Sequence, residues 1–234
     1  MKRGKRYKEL IKLIEQEKAY TVDETIAILP KLKSAKFDES IEAVYVLNVD
    51  PKHADQNVRG VISLPNGTGK KVKVLVFAKG DDARAAENAG ADIVGAEELI
   101  DKIAKENFLD FDVAIATKDM MRNIGKIAKI LGPRKLMPNP KAGTVTDDVA
   151  KAVKDFKAGK IEYRVDKTGV IHTIIGKISF TAEQIKENLL TLNEAILKAR
   201  PASVKGQYIT KAFISLTMSP SLRIDAQDLL KLKK

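Results

Sequence analysis

Between residues 72 and 116, three short apolar runs alternate with helix-like stretches, and this alternation most narrows the folds open to the chain. Residues 72–78 are nearly all apolar apart from Lys73, Ile93-Val94 is a very short run, and 113–116 is a compact one. Helical stretches at 81–89, closed by Gly90, and at 97–105 separate them. Runs of this kind suit strands buried on both faces, and the intervening helices suit parallel crossovers. A further helix is expected over 121–131, ending at Gly132-Pro133, and a last one near 147–156, leading to Gly159.

On either side the texture is different. Ile41, Ala43, Tyr45, Leu47 and Val49 alternate as in a half-buried strand, and 58–64 reads as another. After Gly159, Ile161, Tyr163 and Val165 alternate, and Asp166-Lys167-Thr168-Gly169 forms a turn. Residues 170–178 are expected to pair back as a hairpin. Residues 208–218 form a long alternating strand. Capping boxes at Thr21–Glu24 and Thr181–Gln184 start helices. Pro30 is expected to end or bend the first of these, and Ile185, Leu189, Leu192 and Ile196 form the buried stripe of the second. A helix over 4–18 follows from the spacing of Tyr7, Leu10, Ile11 and Ile14. The turn cluster Leu64–Gly69 is the crossing point. The expected fold is an α+β split domain, residues 1–67 and 160–234, with an inserted α/β Rossmann-like domain over 68–159. The insert is a parallel sheet flanked by helices.

The net charge of +11 favours a polyanionic partner, nucleic acid first. Residues 68–159 hold 17 basic and 14 acidic side chains, leaving 25 and 17 to the outer segments. The main polyanion surface is therefore expected there. Without cysteine there is no disulfide framework or thiolate metal site, and His53 and His172 are too few for a histidine-rich one. No apolar run approaches the ~20 residues that span a bilayer. No signal peptide is expected behind Met1–Arg6, and a cytoplasmic location is.

Gly67-Thr68-Gly69-Lys70-Lys71 fails as a phosphate loop, because Leu64 stands where Gly is needed and Lys71 where Ser or Thr is. Ala78–Asp82 is no dinucleotide loop. His172 reads as a strand residue, and no catalytic set, cofactor site or metal site stands out. A nucleotide-binding enzyme and a general DNA-binding protein remain the rivals. Leu131–Lys141 carries three prolines and the cations Arg134, Lys135 and Lys141 with no acid. Prolines pre-shape it, either to present cations to phosphate or as a structural connection. Phe37 has two roles open to it, core packing, the usual fate of an aromatic, or stacking on a base. Glu42 is out of phase with the apolar face and should point outward.

Leu131–Val145, Glu162–His172 and Thr217–Ser221, supported by Leu64–Lys70, resemble the bacterial form of large-subunit ribosomal protein one, along essentially the whole chain. The resemblance implies a split α+β domain with a Rossmann-like insert. It also implies a non-catalytic protein of the ribosomal large subunit with no cofactor. Such a protein binds an rRNA junction in the mobile stalk beside the exit-site tRNA and represses translation of its own mRNA. RNA contacts carry over to Lys36, Phe37, Ser40 and Glu42, to Asp166, Lys167, Thr168 and Gly169, and to Thr217, Met218, Ser219 and Pro220. The family usually has Gly where this chain has Ser219 and Lys135.

Overall fold

The computed structural model describes residues 4–15 and 17–231. Met1-Lys2-Arg3 of the basic start, and Gln16 within the expected first helix, lie outside these. Two helices, α1 (Lys5–Ile11) and α2 (Val22–Leu32), and two strands, β1 (Ser40–Leu47) and β2 (Arg59–Ser63), come first. Then come β3 (Val74–Phe77), α3 (Gly80–Asn88), β4 (Ile93–Gly95), α4 (Glu97–Glu106), β5 (Val113–Ala116), α5 (Met121–Ile124), α6 (Ala128–Leu131) and α7 (Val149–Lys157). The chain returns through β6 (Lys160–Arg164), β7 (Val170–Lys177), α8 (Ala182–Lys198), β8 (Ile209–Leu216), β9 (Leu222–Ile224) and α9 (Ala226–Lys231). It divides into two compact units: residues up to Gly69 with those from Glu162 on, and Lys70–Ile161.

In the first unit β1 is an inner strand of an antiparallel sheet ordered β7-β1-β8-β9. Ile41, Ala43, Tyr45 and Leu47 are buried, and helices α2 and α8 pack against the sheet. Both capping boxes form, Thr21 with Glu24 and Thr181 with Gln184, and Ile185, Leu189, Leu192 and Ile196 are buried as their spacing predicts. A bulge on β7 near Gly176 lets Ile175 and Gly176 both face inward.

Four expectations are corrected. The hairpin between 161–165 and 170–178 does not form: β6 pairs with β2, while β7 pairs with β1, and Val165–Ile171 is an isolated bridge. The inward phase of β7, Ile171, Thr173 and Ile175, matches that of β1 and takes the longer partner. Pro30 does not end α2, which runs to Leu32, because a proline in the last turn deprives the helix of only one bond. The helix expected over 4–18 stops at Ile11, and Leu13 is exposed. The helix over 121–131 is interrupted by a 3₁₀ turn beginning at Gly125, where glycine weakens helical continuity.

The second unit holds a parallel sheet ordered β4-β3-β5. All four residues of β3 are buried. Leu75 and Phe77 pack with Ile103, Ile124 and Leu131 on one face; Val74 and Val76 pack with Ala86, Val153 and Phe156 on the other. Layers on both faces explain why these strands read as unbroken apolar runs. No helix among the described residues is long and apolar enough to cross a membrane.

Candidate nucleic-acid interface

The segment before β1 is closed by one carboxylate. Glu39 is fully buried, and its Oε1 accepts from the backbone N–H groups of Ser34 (3.2 Å) and Ala35 (3.1 Å). Its Oε2 accepts from the N–H of Met218 at 2.9 Å. Asp38 fixes the other flank, its two oxygens accepting from the amide and hydroxyl of Ser179 at 3.2 and 2.9 Å. Lys36 and Phe37 are left at the exposed tip. Phe37 is 52% exposed, so the core-packing role is overturned: both ends of its short loop are bonded inward and its ring has nowhere to go but out.

Thr217–Pro220 lies alongside. The Thr217 N–H donates to Ser40 O at 3.1 Å, and the Ser40 N–H donates to Thr217 Oγ1 at 3.1 Å, extending the β1–β8 ladder by one step. Ser219 is half-buried; its hydroxyl accepts from the Leu216 N–H and donates to Pro220 O, both at 3.0 Å. Its φ is not in the left-handed region, so serine fits where the family usually has glycine. Met218 is exposed, whereas Pro220 is buried as the turn folds back into β9.

The Asp166–Gly169 turn sits at the other end of β1. Gly169 O accepts from the Leu47 N–H at 2.9 Å, while Ser40 is opposite Lys177. At ~3.3 Å per residue, the length of β1 separates the two groups by about 23 Å. The twelve candidate residues therefore form two groups, not one. In the turn, Asp166 Oδ1 accepts from the Thr168 N–H (2.8 Å), the Thr168 hydroxyl (2.7 Å) and the Val170 N–H (2.9 Å). The Thr168 hydroxyl, then the Val170 amide, hold the Asp166 carboxyl below its ordinary range. A lowered carboxyl stabilises the turn above the unfolded-state value, and that contribution fades as pH falls through the folded-state one. Gly169 is buried at φ +81, and a Cβ there would lie 3.1 Å from Leu47 O and 3.3 Å from Val49 O. Lys167 and Lys36 are exposed and, among the described residues, in no ion pair.

The outward phase of the sheet connects the two groups. Glu42 lies opposite Ser215 and Ile174; Val44 lies opposite Phe213 and His172. Glu42 points away from the core as its phase predicts, and His172 is exposed, 4.0 Å from Asp166 Oδ2. Glu42 and the hydroxyls of Ser40 and Ser215 have no partner among the described residues. Along this outward face sequence reasoning singled out Ser40 and Glu42 but not Ser215 or Phe213, and it read His172 only as a strand residue. Glu39 was missed as well. It continues the buried alternation of Ile41, Ala43, Tyr45 and Leu47 by one step, a signal present in the sequence.

In the second unit no acid occurs from Met120 to Thr146, and Arg122, Lys126, Lys129, Arg134, Lys135 and Lys141 are all exposed and, among the described residues, in no ion pair. Most cations elsewhere in the unit pair with carboxylates, as in Lys73–Asp110 and Lys157–Asp92. The 131–141 loop is also well anchored. Leu136 N–H donates to Leu131 O and Lys135 N–H to Gly132 O, a helix-ending pattern that puts Lys135 in the left-handed region at φ +60. Asn139 caps the next turn, and Pro138 is buried. Glycine, which the resemblance implies at position 135, would adopt this left-handed backbone without strain. Lys135→Gly is expected to raise stability by about 1 kcal/mol by removing left-handed strain, read as a higher urea midpoint at unchanged slope. A crevice of about 460 Å³ where β3 and β4 lead into α3 and α4 is lined by Lys79, Glu87, Glu97 and Glu98. Lys79 is paired with Glu97, so the lining has the wrong sign for nucleotide phosphates.

Residues 29–220 match the ribosomal protein L1p/L10e family, a span that takes in both groups around β1 and the basic stretch of the second unit. The match covers well over half of the chain, and the presence of a parallel sheet in one unit and an antiparallel sheet in the other agrees with it. The chain belongs to the ribosomal protein L1p/L10e family, a family of RNA-binding ribosomal proteins and not of enzymes.

Proposed function

We propose that the protein binds a helical junction of large-subunit rRNA in the mobile stalk near the tRNA exit site, with the first unit as its main RNA-binding domain. In this reading RNA lies along the outward face of the β7-β1-β8-β9 sheet. It meets Lys36, Phe37, Ser40, Glu42, Thr217, Met218 and Ser219 at one end and Asp166, Lys167, Thr168 and Gly169 at the other. Pro220 acts from below by shaping the turn. The observation that carries the proposal is the family match, whose span includes every one of these residues. The chemistry supports it: Ser40, Ser215 and Glu42 offer free oxygens to ribose 2′-hydroxyls, and folded RNA is read through such groups, phosphates and unstacked bases.

The same surface serves repression of the protein's own mRNA, where a similar RNA fold would compete for it. The acid-free stretch with Arg134, Lys135 and Lys141 gives the inserted domain a weaker polyanion contact on the tRNA side. The protein acts on the ribosome, in the cytoplasm. One titration tests these assignments. The intact protein, and a variant with 70–161 replaced by a Gly/Ser linker, are titrated with a junction rRNA fragment and its DNA counterpart at two salt concentrations. Both proteins should prefer RNA by about tenfold or more, as expected when about one charge-assisted hydrogen bond depends on a 2′-hydroxyl. Salt should weaken all complexes, by roughly 0.9 log unit per neutralised phosphate per log unit of salt. Equal affinity for DNA would defeat the 2′-hydroxyl argument; a folded variant without specific RNA binding would move the main site to the insert.

A further inference from the structure

A fully buried carboxylate facing no cation is unusual, because burial of an unpaired charge is costly unless hydrogen bonds satisfy it. Glu39 is such a group: 0% exposed, in no ion pair among the described residues, and satisfied by three backbone amides. Two of those amides, Ser34 and Ala35, belong to the segment before β1; the third, Met218, lies 179 positions away in sequence. We propose that Glu39 is the positioning residue of the RNA interface: one carboxylate locks the Phe37 tip and the Met218 turn into a single preformed unit. This rests on the RNA-binding reading above and assigns a role to a residue that does not itself reach the RNA.

The geometry gives the clamp its specificity. Oε1 closes the loop on itself, and Oε2 ties it to the end of β8. Phe37 lies two positions from Ala35 and two from Glu39, so both sides of the tip are fixed by the same side chain. Phe37 and Met218 are 52% and 41% exposed; the Glu39 side chain holds the backbone of Met218 itself and that of Ser34 and Ala35 just before Phe37. Fixing the two segments before RNA arrives removes an ordering cost that binding would otherwise meet. A charged acceptor suits the task, because its hydrogen bonds to amides are about twice as strong as neutral ones.

Glu39→Gln tests this with little change of volume. The amide keeps one accepting oxygen, so its NH₂ must face either the Ser34 and Ala35 amides or the Met218 amide, donor against donor. Amide exchange should accelerate at Met218, or at Ser34 and Ala35, ahead of the rest of the unit. Affinity for the junction rRNA fragment should fall about tenfold, the equivalent of about one charge-assisted hydrogen bond. The slope of log K against log salt should not change, because no cation is removed; Lys36→Ala in parallel should reduce it by roughly 0.9 and leave those amides protected. Should Glu39→Gln fail to fold by circular dichroism, Glu39→Asp, one methylene short of bridging both sides, should show the same losses. A folded variant with faster exchange at these amides but RNA affinity within about twofold of the wild type would overturn the proposal. So would unchanged exchange. A wild-type protein without affinity for the RNA would instead remove the underlying reading, and the two failures differ in whether the wild type binds.

Discussion

Truncating Asn188 to alanine is expected to destabilise the protein by about 2–4 kcal/mol, because it orphans three backbone groups at once, one buried and two partly buried. Asn188 is fully buried in α8. Its Oδ1 accepts from the Asn66 N–H at 3.1 Å, and its Nδ2 donates to Gly67 O at 2.9 Å and Ile175 O at 2.8 Å. One side chain thus joins the 64–69 turn, the central helix and β7. Urea denaturation followed at the far-UV helix signal should show a lower midpoint. A loss below about 1 kcal/mol would mean that water replaces the amide at all three groups.

The second large effect is on binding. Phe37→Ala combined with Met218→Ala should weaken the rRNA complex by about 30- to 100-fold, since a base stacked on an aromatic ring is worth ~1–3 kcal/mol and a lost apolar neighbour adds to it. Stability should hardly move, because both side chains are exposed. Thr217→Ala makes the contrast: its hydroxyl accepts from the Ser40 N–H inside the ladder, so that change should cost stability as well. Unchanged affinity of the double variant would exclude this end of β1 from the interface.

What the sequence reveals of this fold follows the range of the interactions involved. The capping boxes at Thr21 and Thr181 are legible because cap and partner lie three positions apart. The strands of the parallel sheet are legible because burial on both faces leaves a composition signal within four residues. Strand pairing is not local, and there the reading failed: the turn at Asp166–Gly169 closes as expected, but β6 and β7 part to join β2 and β1. The candidate site shows the same division. Its segments are recognisable one by one, whereas their separation into two groups along β1 depends on which way β7 and β8 run beside it. Glu39 drew no reading from the sequence, although its place in the alternation of β1 marked it for burial.

The order of strands in the sheet has a consequence for synthesis. Strand β1 is made early, yet both its neighbours, β7 and β8, come from the far side of the insert. At ~5–20 residues per second, the roughly 125 residues separating β1 from β7 leave it without a neighbour for on the order of 10 s. Throughout that interval a strand with both edges open and one apolar face is exposed to any other chain able to pair with it. The Lys70–Ile161 unit, whose parallel sheet is built wholly from its own residues, can complete its core meanwhile. The nascent protein would then carry a folded middle between two waiting halves, and early chaperone contact is expected to concentrate on residues 40–47.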